Sequence, residues 1–133
     1  MRDTPFIPGA EALATWFGQW PSFHDVEIHE LHLNRQGASR LMVYTWNMTD
    51  KVDAKGYYIL ENHVMVTFGM KQIATLVLDG FSHQNVIFGL TIEQVPDGLV
   101  MTLEPCYGLS GMIEAKEISV EFAPIETLWG PFV

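Results

Sequence analysis

Hydrophobic positions recur at two different spacings along this chain, and the change of spacing falls near residue 20. In residues 8–18 (PGAEALATWFG), Ala10, Leu13, Trp16 and Phe17 share one face at helical intervals, which should dock on a sheet. Pro8 suits the first turn, Glu11 complements the N-terminal dipole, and Gly18 can stop the helix. From Asp25 onward the alternation has period two, broken by turn residues, and predicts an antiparallel meander.

Within that meander, residues 40–48 (RLMVYTWNM) place Met42, Tyr44, Trp46 and Met48 on the side expected to be core. Leu41 and Val43 leave the other side partly apolar. Residues 49–62 begin as a polar loop and enter the next strand near Tyr57. Segments 63–68 (HVMVTF) and 73–79 (IATLVLD) predict two strands joined by a hairpin turn at Gly69-Met70-Lys71-Gln72. In 86–92 (VIFGLTI), Val86, Phe88, Leu90 and Ile92 are expected to face the core together, with Gly89 marking a bulge or a close approach. Pro96-Asp97-Gly98 is the clearest hairpin signal, and Leu99, Met101 and Leu103 continue the return strand.

Two strands change parity midway. Val26 and Ile28 oppose Leu31 and Leu33, which predicts either a bulge near His29-Glu30 or a strand buried on both faces at different ends. Ile113 and Ala115 oppose Ile118, Val120 and Phe122, which predicts a bulge near Lys116-Glu117. The fold class is α+β: a predominantly antiparallel sheet of about seven strands with a short N-terminal helix. Whether that sheet is open, a sandwich or a barrel is not decided by alternation.

Composition narrows the setting. A chain of 133 residues with 48% hydrophobic content can build one core without disulfide or metal, so a single domain over residues 1–133 is expected. Cys106 is the lone cysteine, which excludes an intramolecular disulfide, favours a reducing compartment, and reads as a packed small residue before a nucleophile. The N-terminus lacks the apolar run of a signal peptide, and no stretch approaches the roughly 18–20 apolar residues of a membrane span. The expectation is a cytoplasmic protein with no membrane partner. Seven Lys and Arg against sixteen Asp and Glu give a net charge of −9, which argues against nucleic acid and makes a basic protein partner more plausible. The same acidity also serves solubility alone. The apolar tail LWGPFV needs cover, from its own domain or from a second copy in a homo-oligomer.

Candidate chemistry concentrates in FHDVEIHELH, where His24, His29 and His32 interleave with Asp25, Glu27 and Glu30. The spacing does not match the HExxH zinc helix, and on a strand the side chains pair without an obvious third ligand. His24, Glu27 and His29 remain the metal candidates, although no metal or other cofactor is expected, and His24, Asp25, Glu27 and His29 the candidates for acid-base catalysis. Ser22, His24 and Asp25 do not form a catalytic triad in extended backbone without a special turn, because neighbours point to opposite faces. No catalytic residue is assigned. As a corner, WPSFHD reads more simply: Pro21 holds Trp20 extended, Ser22 can accept backbone N–H bonds, Trp20 and Phe23 anchor, and Asp25 can bond nearby backbone or His24 in a buried polar network. A second corner, LDGFSHQNV, places Gln84-Asn85 where they can bond backbone, and a third, CYGLSG, has Gly108 and Gly111 beside a partly exposed Tyr107. A small-ligand-binding β-barrel is a further reading, suggested by the aromatic and methionine residues on strands.

WPSFHD with its acidic alternating strand, then GFSHQNV, then YGLSG leading into the last strand resemble the immunity protein 50 family of bacterial polymorphic toxin systems, over about residues 16–124. The resemblance implies a small cytoplasmic protein that binds and neutralises a cognate toxin without catalysis. It maps the family's recurrent positions to Trp20, Phe23, His24, Asp25, Gln84 and Asn85, with Tyr107 a further binding candidate in the third corner.

Overall fold

The computed structural model describes residues 4–125 apart from 53 and 57. One helix, α1 (Ala10–Phe17), precedes β1 (Val26–His32), β2 (Ser39–Val52), β3 (Tyr58–Asp79), β4 (Val86–Val95), β5 (Gly98–Tyr107) and β6 (Ser110–Pro124). The strands close into an antiparallel barrel in the order β1-β2-β3-β6-β5-β4, with β4 returning to β1. Closure answers the question that alternation leaves open, and the expected α+β class with a dominant antiparallel sheet is what the chain adopts.

The helix enters in backbone contact with β6. A Cβ at Gly9 would lie 1.8 Å from the Val120 carbonyl oxygen, and the Val120 N–H donates to the Pro8 carbonyl at 2.9 Å. Only glycine fits that approach, the more so with φ at +89°. Ala10 and Leu13 are then fully buried, and Trp16 packs on Phe122 with ring centroids 5.6 Å apart. Beyond the helix, Trp20 meets Phe23 at 5.5 Å and Phe23 meets Phe68 at 5.6 Å, a line of rings running from the corner into the barrel.

The expected seven strands become six because 63–68 and 73–79 are one strand. Gly69-Met70-Lys71-Gln72 is not a turn: Met70 and Lys71 pair with Ile118 and Glu117 of β6, so the ladder carries straight through. Only Gln72 takes a left-handed backbone, at φ 56°. Residues 49–52 likewise belong to β2 rather than to a loop. The expected parity switch in β6 is present, with Ala115 and Ile118 buried around exposed Lys116 and Glu117, yet the inserted residue lies on the facing strand, between Ile73 and Thr75. The bulge expected near His29-Glu30 is where the pairing shifts, between Ile28 and Glu30.

The expected core face is reversed on β2 and holds only for Leu90 and Ile92 on β4. On β2, Leu41 and Val43 are fully buried and Thr45 nearly so, while Met42, Tyr44 and Trp46 lie half-buried on the outside. Aliphatic and β-branched side chains fill the tapering interior, and amphipathic rings tolerate the wet face. The Met48 side chain and the LWGPFV tail lie outside the described residues. On β4, Ile87 and Leu90 point inward, Val86 and Ile92 are half-buried, and Phe88 is the extra residue of a bulge between Ile87 and Gly89, turned out to 55% exposure. The bulge expected at Gly89 is real, and its consequence is to expel the phenylalanine beside it.

Candidate functional site

The three turn-rich corners converge on Asn85. Its Oδ1 accepts the Ser82 and Leu109 N–H groups, each at 3.0 Å, and its Nδ2 donates to the Ser82 carbonyl at 2.9 Å. Its own carbonyl accepts the Ile28 N–H at 2.8 Å, and the neighbouring Ile87 carbonyl accepts the Asp25 N–H at 2.9 Å. One buried side chain and the carbonyls of Asn85 and Ile87 thus tie 80–85, 106–111 and 23–28 together. Gly108 presses directly on this side chain: with φ at +88°, a Cβ there would stand 2.6 Å from Asn85 Oδ1. The expected backbone bonding is met by Asn85, whereas Gln84 is exposed and closes a small turn in which its carbonyl accepts the Ser82 hydroxyl at 2.7 Å.

Of the sequence candidates, Trp20, Phe23 and Asn85 are buried, and His24, Asp25, Gln84 and Tyr107 face solvent. The His24–Asp25 pair forms, with Nδ1 3.1 Å from Oδ2, because Phe23 and Asp25 both take left-handed backbone, at φ 57° and 63°. That is the special turn extended geometry forbids. The pair is half exposed rather than part of a buried network, and Ser22 Oγ accepts the His24 N–H at 3.2 Å. His24 also sets its ring edge-to-face on Phe88, with centroids 4.8 Å apart.

Glu27 stands opposite Tyr44 on the outer face, and His29 is the extra residue of the β1 bulge. Among the described residues no three His, Cys, Asp or Glu side chains come close enough to share a metal ion. Cys106 is exposed on β5 rather than packed. The barrel interior that the small-ligand reading would use is occupied by core side chains, among them Leu41, Val66, Phe68, Met101 and Ile113.

Two features were not singled out from the sequence. A groove of about 550 Å³ runs between Trp20-Pro21-Ser22 and the outer face of β4, lined also by Phe88, Gly89, Thr91, Glu93 and Glu104. Its signal was Gly89, but only the bulge there shows which ring is expelled. The other is a stack on the outside of β2 and β3: Tyr44 lies over His63 and against Trp46, and Tyr44 Oη shares a hydrogen bond with His63 Nδ1. Burial pushes the Tyr44 hydroxyl above the ordinary tyrosine range. No helix among the described residues is long and apolar enough to cross a membrane.

Comparison with known families matches residues 9–124 to the family described as Immunity protein 50. No curated protein and no solved structure matches the chain.

Proposed function

Because the chain belongs to the immunity protein 50 family, we propose that it is a bacterial immunity protein that binds a cognate toxin of a polymorphic toxin system and neutralises it in the cytoplasm without catalysis. The family match across residues 9–124 is the observation that carries this reading. The net charge of −9 supports a basic toxin as the partner, since opposite charge accelerates encounter and suppresses wrong pairings. Neutralisation then needs only that a rigid barrel cover the toxin's working cleft.

The test is direct. The protein is titrated with the purified product of the toxin-like gene immediately upstream of its own, and the two are co-expressed in a sensitive strain. Binding at nanomolar concentration that weakens with salt, together with restored growth, is the expected result. No binding, or binding without protection, overturns the proposal.

A further inference from the structure

We propose that the groove between β4 and Trp20-Pro21-Ser22 is where the toxin docks, and that the toxin segment received there carries lysine or arginine. This rests on the toxin-binding reading above and adds the place and chemistry of the contact.

The charge of the molecule is unevenly distributed. No Lys or Arg occurs between residues 3 and 34 or between 72 and 115, although each stretch holds five acidic residues. Those stretches contain all of α1, β1, β4 and β5. Lys71 lies on β3, the strand three places from β4 in either direction around the barrel, Lys116 on β6 at the far end of the β4–β5 hairpin, and Arg40 of β2 is bonded to Glu30 at 2.9 Å. The face centred on β4 is therefore the one a cationic surface meets first. A second copy of this acidic chain is disfavoured there by like charge, as is the backbone of nucleic acid.

The groove has the shape that such a cation requires. Phe88 stands out of the strand because the bulge expels it, and His24 braces the ring from its edge. Next to it Gly89 and Thr91 leave a trough, with the Glu104 carboxylate 3.9 Å from where a Gly89 Cβ would be and Glu93 further along. An Arg or Lys laid in this trough packs its aliphatic stem on Phe88 and brings its charged head to the two carboxylates. Exposed aromatic anchors ringed by complementary charge are the usual carriers of binding energy at an interface.

The experiment is calorimetric titration of full-length wild type, Phe88→Ala, the double variant Glu93→Lys/Glu104→Lys and the control Glu121→Lys with the upstream gene product, at low and moderate salt. Circular dichroism and melting curves check that each variant is folded. The double charge reversal is expected to weaken binding by about 100-fold and to flatten its salt dependence, and Phe88→Ala to weaken it by about 10-fold or more. Glu121→Lys, on β6, is expected to stay within about threefold of wild type. Wild type that binds while the folded double variant binds equally well overturns the groove and leaves the toxin reading standing. Wild type that does not bind defeats the toxin reading, and the docking site with it.

Discussion

Phe23 and His24 are neighbours in sequence, yet Phe23 is 1% exposed against Phe68 while His24 keeps half its side chain in water against Phe88. The same division runs through the other corners: Asn85 is buried and bonded to three backbone groups, whereas Gln84 before it and Tyr107 across from it are exposed. One short motif therefore meets two different demands. Its inner residues close the barrel corner, and of its outer residues His24 braces Phe88 at the β4 groove while the Asp25 side chain stays in water. The sequence of the motif does not by itself distinguish the two, but burial does.

The sharpest way to break this division is Phe23→Ala. Removing a fully enclosed ring that bridges Trp20 and Phe68 should cost about 3–5 kcal/mol of unfolding free energy, read from urea denaturation. A loss under about 1 kcal/mol would mean that the corner does not depend on its inner ring. Next comes Asn85→Ala, which strands the Ser82 and Leu109 N–H groups and should cost about 2–3 kcal/mol. Asn85→Asp keeps the accepting oxygen and should lose less of the melting temperature than the alanine variant. Equal losses would remove the acceptor from the explanation.

The inner half of this picture was more legible in the sequence than the outer half. Helical spacing located α1, period-two alternation located the strands, and the position of Asn85 before an apolar run announced its backbone bonding. Alternation says which residues share a face but not which strand is the neighbour, so barrel closure and the meeting of the three corners could not be read from it. Gly69 resembled a turn residue because local composition carries no information about ladders continuing on both sides. On β2 both faces are apolar, and the choice of Leu41 and Val43 for the interior is made by packing. The His24–Asp25 contact depends on left-handed backbone at two residues that are not glycine; aspartate favours that region, but Phe23 gives no sign of it.

The stack on β2 and β3 tests whether an outer aromatic cluster can contribute to stability as the inner one does. Tyr44→Phe retains the ring contacts with Trp46 and His63 and removes the shared hydrogen bond, so a loss of roughly 1 kcal/mol is expected. Burial raises the Tyr44 pKa above 10.0, so the folded state holds the proton more tightly than the unfolded chain. The stabilisation from that difference is complete below pH about 10 and is lost as pH rises through the folded value. Stability of wild type should fall above pH 10 by more than that of Tyr44→Phe, and identical alkaline profiles would count against this role.

The smallest effect belongs to the exposed pair, and it is the one that sharpens the comparison most. With half of each side chain in water, the His24–Asp25 attraction is screened, and a double-mutant cycle with His24→Ala and Asp25→Asn should give a coupling energy under about 0.5 kcal/mol. Asparagine is the right replacement because it tolerates the left-handed backbone of residue 25. Asp25→Ala keeps no such tolerance and should cost about 1 kcal/mol more than Asp25→Asn. Backbone conformation, rather than the contact with His24, would then be what position 25 contributes to the fold. A coupling above about 1 kcal/mol would instead place this pair with Phe23 and Asn85 among the residues that hold the corner shut.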